Sequence, residues 1–265
     1  MGYKAVICDL DGTLLNSDHM ISEYTKEVIG KIKDKGIKVF IATGRHYEDA
    51  KFFKDQLGLN SYMITSNGAM VHDEDSNILI SRCIPKKIAE EIIDTNIDNE
   101  IHKNIYLKDS WCAEKILDEA QEFHKESGFT HIIRPFSEIK NEDIMKFFYI
   151  CENEEKIREL EEEFITKFKG KLNVTLSLGT CLEIMNRGVS KATAIEEVLG
   201  KLGIKMEEAM AFGDGLNDYE MLKGVGKGLI MGNGNYRLVE ALPENEVIDT
   251  NDENGVANYL AKKFL

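Results

Sequence analysis

Prolines, paired cysteines and long apolar runs are scarce in this sequence, and each scarcity argues against a particular class of protein or site. Three prolines among 265 residues and a hydrophobic content of 43% indicate a globular protein rather than a disordered chain. The five cysteines form no CxxC pair and are odd in number, which favours buried thiols in a reducing compartment. The six histidines show no HxH or HExxH spacing, so we predict no zinc site.

Membrane and nucleic-acid partners are also disfavoured. No apolar stretch is long enough for a transmembrane helix, and the first apolar run, broken by Asp9 and Asp11, is too short and too acidic for a signal peptide. The 33 Lys and Arg residues are outnumbered by 47 Asp and Glu residues, and the net charge of −14 repels nucleic acid and anionic membranes. We therefore expect a cytoplasmic protein that binds small anions in a local cationic pocket. The sequence leaves its oligomeric state open.

The first part of the chain alternates between predicted strands and helices. Residues 4–9 form an apolar run that ends on an acidic residue before a Gly-containing turn, which is typical of a buried parallel strand. Helix and strand patterns then alternate through residues 22–35, 37–45, 46–57 and 61–70. This order predicts an α/β fold with a right-handed, doubly wound parallel sheet. Chemistry is expected at the carboxyl ends of its strands.

The middle of the chain has a different character, because it is denser in Glu and Lys and its strands lie in more polar surroundings. Helices are predicted near residues 85–96, 113–127 and 154–168, a strand or hairpin near 101–112, and strands near 144–151, 172–178 and 181–186. We interpret this segment as an inserted α+β domain with an antiparallel sheet. Since the first pattern resumes at Ser190, we expect one domain from residues 1–82 and 187–265 and a second from residues 83–186.

Two carboxylates lie two residues apart at the end of the first predicted strand. Asp9 and Asp11 project to the same side of an extended chain, so one could attack a substrate while the other moves protons. A carboxylate that attacks a phosphoryl group needs its charge neutralised, and Mg²⁺ is the default cation for that task. On its own, however, a DxD triplet is more often part of an ordinary loop.

Three further segments could complete such a site. Thr43 and Gly44 follow a predicted strand, where a hydroxyl and free amides can hold phosphate oxygens, although a simple helix cap is the more frequent explanation. Lys191 opens a helix and could neutralise both a phosphate and the nucleophile, although single lysines are usually solvated. Asp214 and Asp218 follow another apolar strand, among glycines that permit close approach of backbone and metal but also favour ordinary turns.

Together these segments are far more specific than any one of them. DLDGTLL, ATGR, SNGA, GVSKA and GDGLNDYEML, in this order, resemble the haloacid dehalogenase-like (HAD) phosphatase superfamily, specifically its Cof-type branch with a type IIB cap. The likeness spans essentially the whole chain. It implies a Rossmann-like core, an inserted α+β cap, Mg²⁺ as cofactor, and hydrolysis of a small phosphorylated metabolite through an aspartyl phosphate. Sugar phosphates, nucleotides and phosphorylated cofactors all remain open as substrates.

The resemblance assigns roles to individual residues where the motifs match. It implies that Asp9 is the nucleophile and a metal ligand, and that Asp11 is the acid and base whose backbone carbonyl also binds metal. Asp214 and Asp218 would be the other metal ligands, the latter directly or through water. The implied phosphate-binding residues are Thr43, Gly44, Asn67, Gly68, Lys191 and Asn217.

Other uses of the same architecture remain open. A phosphotransferase or phosphomutase is the nearest enzymatic alternative, although a large cap that admits water mildly favours hydrolysis. A non-catalytic metabolite sensor predicts the loss of a nucleophile or metal ligand, and none is lost. A scaffold would need only the acidic surface. The candidates for contact with the leaving group are Arg45, His46, Tyr106, Trp111 and Arg134.

Overall fold

The computed structural model describes residues 2–117 and 124–265, which form two β-sheets and their covering helices. The strands, numbered in chain order, are β1 (Ala5–Cys8), β2 (Lys38–Ala42), β3 (Met63–Thr65), β4 (Met70–His72), β5 (Ile78–Ser81), β6 (His102–Tyr106), β7 (Trp111–Ala113), β8 (Ile132–Ile133), β9 (Lys146–Ile150), β10 (Leu172–Leu178), β11 (Cys181–Asn186), β12 (Ala209–Gly213), β13 (Lys227–Ile230) and β14 (Glu246–Val247). The helices are α1 (Glu23–Asp34), α2 (Tyr47–Gln56), α3 (Lys86–Ile93), α4 (Glu154–Lys167), α5 (Lys191–Lys201), α6 (Tyr219–Gly224), α7 (Tyr236–Ala241) and α8 (Gly255–Phe264).

The larger sheet, called the core sheet below, has the strand order β14-β13-β12-β1-β2-β3-β4-β5. Every neighbouring pair from β14 to β3 is parallel, which confirms the predicted α/β class. Strands β4 and β5 add an antiparallel edge that the sequence analysis did not anticipate. The reason is the short connections before and after β4, since a parallel return would need a crossover of a dozen or more residues.

Helices cover both faces of the core sheet. Successive side chains of β1 point to opposite sides, so Val6 and Cys8 pack with the apolar faces of α1, α2 and α8. Ala5 and Ile7 pack instead with α5, α6 and α7. A strand buried on both faces must be apolar throughout, which accounts for the uninterrupted run that precedes Asp9.

Helix α1 shows how local sequence signals produce these elements. The Ser22 side chain accepts a hydrogen bond from the amide of Thr25 at 3.1 Å and so caps the first turn. Val28, Ile29 and Ile32 form its buried stripe. Gly36, with φ of +80°, lets the chain leave the helix in the left-handed region. The helix predicted over residues 22–35 is confirmed to within one residue at each end.

The smaller sheet, called the second sheet below, has the order β10-β11-β9-β6-β7-β8. Its pairs are antiparallel except β7 with β8, and α3 and α4 pack on one face. The opposite face carries the aromatic side chains of Tyr106, Trp111 and Phe148. The strands predicted at 172–178 and 181–186 are confirmed. Of the helix predicted near 113–127, residues 118–123 lie outside the described residues, and Ala113 ends a strand.

Among the described residues, no helix has both the length and the apolar character needed to span a bilayer.

Candidate active site

The carboxyl ends of β1 and β12 bring the first two acidic groups together. These strands are adjacent and parallel, and the amide of Asp9 donates to the carbonyl of Phe212 at 3.1 Å. Gly12, with φ of +69°, turns the chain back so closely that a Cβ there would collide with the carboxylate of Asp214. The hydroxyl of Thr13 donates to Asp214 Oδ1 at 2.8 Å. The DxDGT segment therefore forms a turn that packs against the GDGLND segment.

Lys191 lies between two of the candidate carboxylates. Its Nζ is 2.9 Å from Asp9 Oδ2 and 2.7 Å from Asp218 Oδ1, and the lysine is almost completely buried. Burial acts to lower the pKa of Lys191, but the charges of Asp218 and Asp9 raise it above its ordinary value. The predicted placement of Lys191 beside the nucleophile is thus present in the structure, as a fixed buried cation in contact with Asp9.

Three buried carboxylates share this site. Asp9, Asp214 and Asp218 each offer an oxygen, and the three oxygens lie within 4.8 Å of one another. Burial raises the pKa of Asp9 well above its ordinary value, against the opposing effect of Lys191, and Asp218 and Asp214 add repulsion. Burial followed by repulsion from Asp218 raises the pKa of Asp214 to about 7. One lysine cannot balance three carboxylates, so this oxygen-only donor set fits a hard divalent cation such as Mg²⁺.

The candidate phosphate-binding residues occupy the neighbouring strand ends. Thr43 is fully buried, and its Oγ1 accepts from the amide of Arg45 at 3.1 Å, so it caps the turn before α2. Gly44 and Asn217 line a cavity beside the carboxylates.

The Ser66–Gly68 turn, which follows β3, packs against the segments that carry Asn217 and Lys191. All three residues of the turn have positive φ, at 48°, 55° and 93°. The Asn67 side chain accepts from Asn217 Nδ2 at 3.2 Å, and a Cβ at Gly68 would collide with the carbonyl of Ser190. The structure thus brings all the predicted site residues to one region. Five of them lie in its buried wall rather than in the lining of the cavity: Thr43, Asn67, Gly68, Lys191 and Asp218.

Asp11 points to a different partner from the other carboxylates. Arg45 donates to it from two guanidinium nitrogens, Nε to Oδ2 at 2.8 Å and Nη2 to Oδ1 at 2.6 Å. Such a two-pronged contact fixes both the direction and the plane of a carboxylate. Asp11 is therefore held at the cavity wall by a buried arginine.

A cavity of about 340 Å³ lies between this edge of the core sheet and the aromatic face of the second sheet. Tyr106, Trp111 and Phe148 form an aromatic wall opposite Asp9 and Asp11. The ring centroids of Tyr106 and Phe148 are 4.7 Å apart, and the Trp111 indole donates to Asn104 Oδ1 at 3.0 Å. The cavity thus has an acidic, metal-compatible end and an aromatic end.

The second sheet also contributes a buried ion pair that sequence reasoning missed. Lys146 Nζ lies 2.5 Å from Glu183 Oε1 and donates to the carbonyl of Gly44 at 2.6 Å. Glu183 Oε2 accepts a hydrogen bond from Nδ2 of the Asn67 side chain. A signal existed, because each charged residue stands inside an otherwise apolar strand, IMKFFYIC or CLEIM, where a charge needs a partner. These contacts join the second sheet to both candidate phosphate-binding turns.

The proposed leaving-group contacts divide into two sets. Arg45, Tyr106 and Trp111 line the cavity. His46 is fully buried elsewhere, with Nε2 3.2 Å from the carbonyl of Leu107. Arg134 pairs with Glu142 at 2.5 Å, away from the residues that line the cavity.

Comparison with known proteins agrees with this arrangement. Residues 6–260 match the model of a family described as haloacid dehalogenase-like hydrolase. A putative phosphatase of Haemophilus influenzae is 36% identical over 264 residues, covering 99% of this chain and 97% of that protein. An HMP-PP phosphatase of Yersinia pseudotuberculosis is 33% identical over 258 residues, covering 97% and 94%.

Solved structures show the same fold. A haloacid dehalogenase-like hydrolase from B. subtilis superposes with a TM-score of 0.87 at 27% identity, covering 99% of this chain and 100% of that one. A HAD subclass IIB sugar phosphatase shares the fold with a TM-score of 0.84 at 24% identity, covering 98% of each chain. The chain belongs to the haloacid dehalogenase-like hydrolase family. The predictions of family and of enzyme class, a phosphatase, are confirmed.

Proposed function

We propose that the protein is a Mg²⁺-dependent phosphatase that hydrolyses a small phosphorylated metabolite through an aspartyl phosphate on Asp9. The observation that carries this proposal is the position of Asp9. Its carboxylate is fixed by Lys191 within a buried acidic cluster, at the end of a cavity closed by the aromatic face of the second sheet. Asp9, Asp214 and Asp218, with the backbone carbonyl of Asp11, would hold the metal. When bound, Mg²⁺ would neutralise negative charge on the phosphoryl group and the nucleophile.

In the first step, a carboxylate oxygen of Asp9 attacks phosphorus and the bond from phosphorus to the leaving oxygen breaks. Asp11 gives its proton to that oxygen, which leaves as an alcohol. In the second step, Asp11 takes a proton from water while the water oxygen attacks phosphorus. The bond to Asp9 then breaks, which restores its carboxylate and releases inorganic phosphate. Substrate and water are thereby converted into alcohol and phosphate with Asp11 reprotonated.

Binding of the phosphoryl group is assigned to the other residues of this edge. Lys191 supplies a fixed positive charge beside Asp9, and the Gly44 amide and the Thr43 hydroxyl would hold phosphoryl oxygens at the end of the neighbouring strand. Asn217 lines the cavity, and its side-chain donor, Nδ2, is held by Asn67 Oδ1. Asn67 and Gly68 would shape the pocket through Asn217 and the turn they form.

The substrate is proposed to be small because the cavity is small and enclosed by two parts of the chain. We propose that residues 1–82 and 187–265 form the catalytic core and residues 83–186 a cap that selects the leaving group. The aromatic wall of Tyr106, Trp111 and Phe148 favours a planar or apolar leaving group. HMP-PP, named for the Yersinia relative, is the first compound to test, beside sugar phosphates, nucleotides and phosphorylated cofactors.

The experiment measures phosphate release from this panel with Mg²⁺ and with EDTA. Magnesium-dependent release that is selective for one class supports the proposal and ranks the substrates. Equal release with EDTA would contradict the metal assignment. Transfer of phosphate to an added alcohol without free phosphate would instead indicate a phosphotransferase.

A further inference from the structure

A buried charge network lies behind Asp11. The Arg45 guanidinium binds both oxygens of Asp11, and its remaining nitrogen, Nη1, donates to Asp49 Oδ2 at 2.9 Å. Arg45 is 3% exposed and Asp49 is 0% exposed. Because buried polar groups are costly to leave unpaired, such a network strongly favours a single arrangement of its side chains. The position of Arg45 on Asp11 therefore depends on the carboxylate on its other side.

Asp49 also receives hydrogen bonds from the connection between two strands of the second sheet. His124 Nδ1 lies 2.7 Å from Asp49 Oδ2, and the hydroxyl of Ser127 donates to Asp49 Oδ1. Both residues belong to the connection between β7 and β8, whereas Asp49 lies on α2, one helical turn after Arg45. Burial acts to raise the pKa of Asp49, but the His124 hydrogen bond and the charge of Arg45 bring it below its ordinary value. Asp49 is thus an ionised link between the two parts of the molecule.

We propose that Asp49 is a positioning residue that holds the Arg45 guanidinium on Asp11, and that contact with His124 and Ser127 makes this arrangement depend on the second sheet. The inference rests on the proposed role of Asp11 as acid and base. As Asp11 gives its proton to the leaving oxygen, negative charge develops on its carboxylate. A guanidinium already in place stabilises that charge in the transition state without reorganisation.

The expected signature is a dependence on the leaving group. An alkyl phosphate needs a proton on its leaving oxygen, whereas 4-nitrophenyl phosphate releases a stable phenolate without one. Asp49→Asn should lower kcat for an alkyl phosphate about 10- to 100-fold, within the range of general acid–base effects, and leave KM within about threefold. In rapid-quench experiments with 4-nitrophenyl phosphate, the variant should release a first equivalent of nitrophenol at close to the wild-type rate. Slow turnover should follow, because activation of water still needs Asp11.

Matched variants make the test specific. Asp55→Asn removes the same charge from the exposed side of α2, where Asp55 pairs with Lys51, and should leave both substrates unaffected. Ser127→Ala removes one donor to Asp49 and should produce a weaker form of the same pattern. It keeps the test decisive if Asp49→Asn does not fold.

Two results would overturn the inference. One is an equal loss of the first-turnover rate for both substrates, with or without a change in KM, which would indicate a merely structural role for Asp49. The other is unchanged kinetics in both Asp49→Asn and Ser127→Ala.

Asp11→Asn separates this inference from the proposed function. If Asp11→Asn shows the leaving-group dependence and Asp49→Asn does not, only the inference fails. If Asp11→Asn lacks it, the role of Asp11 fails as well.

Discussion

Breaking the buried ion pair between Lys146 and Glu183 should destabilise the protein strongly. Lys146 is 2% exposed and Glu183 is 4% exposed, and Lys146 Nζ lies 2.5 Å from Glu183 Oε1. Removing one partner leaves the other charge buried without compensation, at a cost of about 3–5 kcal/mol. Lys146→Met also removes the donor to the Gly44 carbonyl, which adds about 1–3 kcal/mol if that carbonyl stays buried.

A double-mutant cycle measures the pair itself. Glu183→Gln keeps the shape of the side chain and an acceptor for Asn67 but removes the charge. Because Lys146→Met with Glu183→Gln removes both charges, the double variant should lose less stability than the two single variants combined. A coupling energy of about 2–3 kcal/mol is expected.

Urea unfolding followed by fluorescence provides the assay. Trp111, the single tryptophan of the chain, is buried in the second sheet and reports its unfolding. Lys103→Met is the matched control, because the pair of Lys103 and Glu114 has about one third of each side chain exposed and should contribute less than about 1 kcal/mol. The reasoning would be refuted if the single variants of Lys146 and Glu183 lost no more free energy of unfolding than this control. It would also be refuted if their losses simply added in the double variant, with no coupling energy.

Three further predictions concern the site and its surroundings. Asp214→Ala should weaken Mg²⁺ binding by more than about tenfold in calorimetric titration, and an unchanged Kd would remove Asp214 from the metal site. Gly12→Ala should cost more than about 1 kcal/mol of stability and lower turnover, because φ of +69° and the carboxylate of Asp214 both oppose a Cβ; a wild-type Tm would contradict this. Burial lowers the pKa of His46 from 6.5 to about 4, so the folded state favours the neutral ring. The contribution of His46 to the free energy of unfolding should therefore be complete above pH 6.5, and roughly 3 kcal/mol of it should be lost as pH drops to about 4. His46→Gln should reduce that loss in urea unfolding at several pH values, and an equal loss would contradict the assignment.

The residues that sequence reasoning identified share one property, which is a position at the end of a regular element. Asp9 and Asp214 follow apolar strands that must be buried on both faces, and Lys191 opens a helix after a Ser cap. The order of such elements is enough to place their ends at one edge of a parallel sheet. The α/β fold and the grouping of the candidate site residues could therefore be predicted without coordinates.

The residues that were missed depend on contacts between distant segments. Lys146 and Glu183 meet only because β9 and β11 pair in a register that turns both side chains toward the core sheet. Asp49 has the appearance of an ordinary polar residue on an amphipathic helix, and its burial depends on cover from His124 and Ser127. Neither register nor cover follows from local pattern, since a shift of one residue would send a strand's side chains to the opposite face.

The central claim is that Asp9 carries the phosphoryl group during turnover. The most direct measurement is to mix the protein with Mg²⁺ and its best substrate, quench in acid within one turnover, and locate any added phosphoryl group by peptide mass spectrometry. The account predicts one phosphoryl group on the peptide that contains Asp9, greater accumulation in Asp11→Asn, and none in Asp9→Asn, which should also be inactive. Phosphate release at the wild-type rate by Asp9→Asn, or a phosphoryl group on another residue, would contradict it.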